Sequence, residues 1–474
     1  MATLDRGRAA IAVLSLMALG GCSVDPPAEG STAPSTDASS PPSALTSPSA
    51  DPTASVQAPS VAELVPGSYA NIVTNDLVLR SEPGTSTESD MYPDRLNAPM
   101  SVYIADGPVE ADGYAWYYVA AFADGGTEPA LIGWAAAAGK DGEVWIEPIA
   151  HGDDVWSLVD TGDAPPDLNP RSSAMGPDGR IYFFGGNGPT DQPVGDTWAF
   201  DPAAGSWTEL APMPTPRSRP IVAATPDGLF YVIGGSLGGP VSGDDTSVVE
   251  VFDSETDRWT RTTNAPLGPH TASDGKTLAG SDGAIRVFAY GDVLRYEPST
   301  RTWEVESSGN SVLWDVVEAP DATLRVLEYG GGVHAYDPSD GTLGEGSGVH
   351  GISRFGAALA AASDGRLLLF GGSIAPGLGA TCTGFRGWGS LSLAEALDPA
   401  TGEWTTMAPM PLPLDQPVAY PTADGVVVVG TSGRTPGNPG ASDELVIAEL
   451  SLGAPTEATL LPTDQETSPS GCGA

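Results

Sequence analysis

Short apolar runs, separated by glycine, proline and polar turn residues, recur along most of the chain, and their short alternation predicts strands rather than helices. Between about residues 69 and 148 the runs fall at 77–79, 100–104, 116–119 and 131–134, a set that predicts a small barrel or sandwich. From Asp154 onward the pattern repeats itself. Apolar runs at 181–184, 230–233 and 368–370 each end in a double glycine, and weaker versions lie at 285–290, 324–327 and 426–430. Each of the first five runs along the chain is followed by an aromatic or apolar residue before an acid: Phe200-Asp201, Phe252-Asp253, Tyr296-Glu297, Tyr336-Asp337 and Leu397-Asp398. A tryptophan comes soon after in Trp207, Trp259, Trp303 and Trp404, whereas the fourth unit has none, and Trp156 stands ahead of the first complete unit. The result is six units at spacings of roughly 40 to 60 residues, the signature of a solenoid or propeller.

Composition sharpens this. The 60 Gly and 45 Pro disfavour helix interiors, while 40% hydrophobic residues, including 11 Trp and 13 Tyr, suffice for a sizeable core. The 474 residues allow roughly two to four domains. With 20 Lys+Arg against 61 Asp+Glu the formal charge is −41, which repels nucleic acid and anionic membrane surfaces over any broad area, so no nucleic-acid partner is expected.

Arg6 and Arg8 precede an apolar run at 9–19 that is too short for a membrane-spanning helix and reads as a signal peptide, residues 1–21. It ends in Leu19-Gly20-Gly21-Cys22, which resembles the lipobox of bacterial lipoproteins. The resemblance implies that Cys22 becomes a lipidated N-terminus holding the chain on the outer, extracytoplasmic face of the cell membrane, with two acyl chains meeting the requirement for durable anchoring. No later apolar run is long enough to span a bilayer. Residues 22–62, rich in Ser, Thr, Pro and Ala, lack the apolar side chains needed to offset ordering entropy and read as a disordered linker. At about 3.1 Å per residue it would reach on the order of 120 Å.

Residues 77–85, Leu-Val-Leu-Arg-Ser-Glu-Pro-Gly-Thr, resemble the signature of bacterial SH3-like domains, with Glu82 in place of a glycine, and Trp116-Tyr117 and Gly133-Trp134 match its later aromatic positions. The resemblance implies an SH3-like barrel over 63–150. Relatives bind cell-wall polymers or serve as spacers and docking surfaces, and both roles stay open.

The repeats over 151–462 resemble Kelch repeats, and 463–474 form a tail. The expected fold class is therefore all-β: a small SH3-like barrel followed by a six-bladed Kelch-type β-propeller. The strand at Trp156 would join the last blade and close the ring, with 459–461 as a competing segment. Long second-to-third-strand loops in blades one, two, five and six, and short ones in three and four, predict a mouth walled on one side. Arg171, Arg217, Arg219 and Arg354 lie just ahead of first strands, where related propellers point arginines at the pocket, and Arg386 and Arg434 lie in long loops. Guanidinium suits carboxylate or phosphate, so these residues, with Trp388 or Phe385 as an apolar surface, would bind an anionic ligand such as an acidic sugar or a peptide carboxylate. The alternative is that the arginines pair with acidic neighbours and brace the loops.

No catalytic residue, metal site or cofactor is assigned; the four histidines show no short metal-ligand spacing. Gly234-Gly235-Ser236-Leu237-Gly238 begins at a blade's double glycine rather than at a strand-to-helix turn, so a nucleophile elbow is not expected. If Cys22 is acylated, Cys382 and Cys472 remain as a pair, predicting a disulfide that ties the tail across the propeller. The expected function is a membrane-anchored, extracytoplasmic binding or scaffolding module for a protein or cell-wall glycan. A carbohydrate-active enzyme such as a sugar mutarotase is the alternative.

Overall fold

The computed structural model describes residues 64–453 apart from 87–88, 123–128, 167, 189, 239–243, 268–274, 290, 310–312, 329–331, 348–353, 375–388 and 434–443. The expected leader, the acylated Cys22, the linker, the Cys382–Cys472 disulfide and the tail lie outside the described residues.

The first domain is one seven-stranded antiparallel sheet. Its spatial order is Met91–Leu96, Leu77–Arg80, Pro129–Ala136, Tyr114–Phe122, Ser101–Ala111, Tyr69–Ile72 and Ile146–Pro148. Four of these strands were expected; the three added ones are short. Alternation does the folding: Leu77 and Leu79 turn into a core with Leu96, Val102, Ile104, Val119 and Ile146, while Val78 and Arg80 are only half-buried. Trp116 and Trp134 are buried as well, closing the domain's other apolar cluster.

This domain is packed on the rest of the chain. Tyr69, Tyr103, Ala120 and Ile132 share a buried cluster with Leu391 and Leu393. Gly67 permits the close approach: at φ +95°, a Cβ there would lie 2.7 Å from the Cβ atoms of both Pro409 and Ser392.

The remainder is a ring of six four-stranded antiparallel sheets. Their first strands, Ser173–Met175, Ile221–Ala224, Lys276–Ala279, Leu313–Glu318, Ala358–Ala361 and Leu414–Pro421, neighbour one another around the axis. Five blades are built from consecutive segments. The sixth takes Leu414–Pro421, Gly425–Ser432 and Leu445–Ser451 from the end of the chain and Val155–Leu158 from before blade 1, pairing Leu450 with Trp156. This is the closure expected from Trp156. No edge is left open at the seam, the condition that lets a twisted sheet array close.

The repeated residues have separate jobs. The acid ending the third strand folds the turn into the fourth: Asp201 Oδ1 accepts the N–H groups of Ala203 and Ala204, Asp253 Oδ1 those of Glu255 and Thr256, and Asp398 Oδ1 that of Ala400. The tryptophan on the fourth strand packs on the third-strand aromatic, with ring centroids 4.7 Å apart for Phe200–Trp207 and 4.8 Å for Tyr296–Trp303. Its indole N–H then donates to the backbone of the segment leading into its own blade: Trp207 to Thr161, Trp259 to Ala211, Trp303 to Thr263 and Trp156 to Ala408. In blade 4, Leu343 stands opposite Tyr336 at this position and supplies only apolar contact.

These turns carry a pH signature. The Thr256 hydroxyl, and after it the backbone N–H groups, hold the Asp253 carboxyl below its usual value; Asp337 is lowered in the same way by Ser339, and Asp321, in the first-to-second-strand turn of blade 4, by Thr323. A carboxyl depressed in the folded state contributes stability above its unfolded pKa, about 3.9, and loses that contribution as pH falls through the lower folded value. The unfolding midpoint is therefore expected to drop between roughly pH 5 and pH 3, and Asp253→Asn to flatten that acid limb in urea titrations. An unchanged acid limb would show that the turns are indifferent to ionisation.

Candidate anion-binding channel

Each first strand starts opposite the end of its second strand, as Ile221 does opposite Ile233 and Ala358 opposite Phe370. The segments entering the first strands therefore share one face with the second-to-third-strand loops. From that face a cavity of about 330 Å³ runs down the axis, walled by first-strand residues of every blade.

Four arginines expected at this mouth are described, and they divide into two pairs. Arg217 and Arg354 are not in the mouth but fully buried within blades 2 and 5. Arg217 Nη1 lies 3.2 Å from Glu250 Oε2 and Arg354 Nη2 lies 2.8 Å from Glu395 Oε2. Each acid is the second residue of its third strand, Val249–Asp253 and Ala394–Asp398. The guanidinium of Arg217 also donates to the carbonyl of Val232. Burial pulls the Arg217 pKa down to about 10, with Glu250 opposing the fall. An ion with no surface has nothing to offer a ligand, so these two arginines brace their blades, correcting the expected placement. The Arg354 pair also serves the domain junction, since the Tyr69 hydroxyl donates to Glu395 Oε1 at 3.3 Å.

Arg171 and Arg219 stay at the mouth, where both line a small recess with Pro220 and Gly275. Arg171 sits in a 3-10 turn, Pro170–Ser172, capped by Asn169, whose side chain accepts the Arg171 N–H. From blade 1 its guanidinium donates to Gln416 Oε1 of blade 6 at 2.9 Å and lies 5.4 Å from the ring centroid of Trp314 in blade 4. The side chain thus spans the opening. Arg386, Trp388 and Arg434, with Phe385, lie outside the described residues.

Below Arg171 is a tier of the channel that the sequence did not reveal. Ser173, Val222 and Leu359 occupy matching places in their first strands, opposite Phe183, Val232 and Leu369, while Lys276 and Asp315, opposite Phe288 and Leu327, lie one residue nearer the mouth, at the place Ile221 holds in blade 2. All five line the cavity. Ser173 Oγ and the Tyr420 hydroxyl share a hydrogen bond of 2.7 Å, and burial raises the Tyr420 pKa well above the ordinary tyrosine range. Asp315 Oδ2 accepts the N–H of Leu359 and Oδ1 that of Val316. Glu318, toward the far end, accepts from the backbone N–H and hydroxyl of Ser281. Both channel carboxylates are thus committed to structural hydrogen bonds.

Lys276 differs. It is half-buried in the channel wall and makes no hydrogen bond or ion pair among the described residues. Burial lowers its pKa; Asp315 opposes this and Arg171 adds to it. Only two lysines occur in the chain. That scarcity was the available signal, but blade 3 lacks a double glycine, and without that marker its first strand could not be registered against the others.

A second cavity, about 380 Å³, lies in the first domain, lined by Tyr114, Trp116, Trp145, Arg80, Thr85 and Asp76 among others. Tyr114 stacks on Trp145 there at 6.2 Å between centroids.

Comparison with known proteins agrees with the repeat reading. Residues 171–214, 217–266 and 354–411 match the family described as Kelch motif, which covers blades 1, 2 and 5, where the double glycine and the tryptophan are both present. An F-box/kelch-repeat protein of Arabidopsis thaliana is 33% identical over 191 residues, 36% of this chain and 52% of that protein, so the chain spans about half the length of this curated relative. The solved structure of YjhT aligns with a TM-score of 0.46 at 18% identity, covering 60% of this chain and 95% of that one.

Proposed function

We propose that this six-bladed Kelch propeller is the recognition element of a binding or scaffolding protein, and that its channel face takes an anionic partner at the cell envelope, an acidic glycan or a peptide carboxylate. The observation that carries this reading is the concentration of Arg171, Arg219 and Lys276 around one channel in a chain of net charge −41. Against so acidic a background, a local cationic pocket draws in small anions while the surface excludes polyanions. Kelch propellers commonly mediate protein interactions, and the hydrogen-bond commitments of Asp315 and Glu318 favour binding over acid–base chemistry.

The first domain fits the same role as an SH3-like module packed against blade 5, and Cys22 fits as the lipid anchor that presents both domains outside the membrane. Cys22→Ala is expected to move the protein from the membrane fraction to the soluble fraction. Equal membrane retention would refute the anchor.

An array of acidic and neutral glycans, together with peptides bearing a free or amidated C-terminus, tests the ligand class. Acidic members should be retained and released by salt, and their neutral counterparts not. Equal retention of both would overturn the anionic reading.

A further inference from the structure

Resting on the anionic-ligand reading above, we propose that the channel beneath Arg171 holds a monocarboxylate site, in which Lys276 provides the ammonium that pairs with the ligand's carboxylate. Two features of the channel lead here. Lys276 faces a cavity with no hydrogen-bond or ion-pair partner among the described residues, and a half-buried ammonium in that state gains most from an incoming anion. The charge count then selects the ligand. Arg171, Arg219 and Lys276 bring three positive charges and Asp315 and Glu318 two negative, leaving a single charge to neutralise, which suits a carboxylate better than a dianionic phosphate.

The walls suit the remainder of such a molecule. Ile221, Val222, Leu359 and Val418 are apolar, and the Trp314 indole sits at the opening with Arg171 over its ring. A uronic acid and an acyl amino acid share this chemistry, an anionic head on a compact body.

The presence of only two lysines makes the site directly observable. Reductive ¹³C-methylation of the full chain keeps both side chains cationic and gives one NMR signal each for Lys140 and Lys276, assigned with Lys140→Arg and Lys276→Arg. The groups facing Lys276 are Arg171 and Arg219 at the mouth, Asp315 from blade 4 and Tyr420 from blade 6. Titration with glucuronate and with N-acetyl-alanine is expected to shift the Lys276 signal saturably and to move its titration midpoint upward, leaving Lys140 in place. The amide of N-acetyl-alanine should move neither signal.

A response to glucuronate alone assigns the site to sugar acids, and one to N-acetyl-alanine alone assigns it to peptide-like acids. Lys276→Met should weaken binding of the responding acid by about ten-fold or more, and Lys140→Met should leave it unchanged. The proposal falls if Lys276 is unmoved by both acids, if Lys140 moves equally, or if inorganic phosphate shifts Lys276 more strongly than either acid. Should Lys276 stay still while the array retains acidic partners, the channel site fails and the anionic reading survives. The opposite pair of results keeps the site and discards the envelope partner.

Discussion

Glu395→Ala is expected to lower the free energy of unfolding by about 3–5 kcal/mol, the cost of leaving a buried guanidinium without its counter-ion. Arg354 and Glu395 are both essentially inaccessible to water, at 2% and 1%, so solvent cannot replace the lost carboxylate. The Tyr69 hydroxyl loses its acceptor in the same step, so blade 5 and the first domain are expected to loosen together. The partner experiment is Arg354→Met combined with Glu395→Leu, which removes both charges and should recover most of the loss, because a well-packed apolar pair often matches or exceeds a buried ion pair. Urea unfolding followed by tryptophan fluorescence reads both. A single variant costing less than about 1 kcal/mol would mean that water reaches the pair and that it is no brace.

The second large effect is expected at the boundary between blades 1 and 2. Phe252 is fully buried there, with ring centroids 5.1 Å from Trp259 and 5.9 Å from Phe184 across the blade boundary. Phe252→Ala is expected to cost about 3–5 kcal/mol, since the surrounding rings belong to two separate sheets and cannot collapse into the void without moving one against the other. Val305, 59% exposed on the outermost strand of blade 3, is the control: Val305→Ala should stay within about 0.5 kcal/mol. Similar losses for both variants would imply that the blades pack loosely.

The ring was legible because a blade's sequence marks its own strands. The double glycine ends the second strand, the acid ends the third, and the tryptophan lies on the fourth; Trp156 ahead of the first unit announced the composite blade. The site was less legible because nothing local tells which way an arginine before a first strand turns. Arg217 and Arg354 turn inward because Glu250 and Glu395 await them on third strands that are buried on both faces. A glutamate inside so apolar a strand needs a cation within reach, and that was the available clue. Arg171 has Gln416 and Trp314 as its partners, both distant in sequence, so only the closed ring brings them together.

The composite sixth blade also has a consequence for biosynthesis. Asp154 and Gly453, hydrogen-bonded at the seam, are 299 residues apart. A ribosome must release nearly all of the propeller before Val155–Leu158 meets its neighbour, and until then the nascent chain carries two raw flanks that invite proteases and adhesion. A product truncated before Leu445 would therefore not be a ring five-sixths complete: lacking its last clasp, it would be marked for disposal by its own unfinished rim.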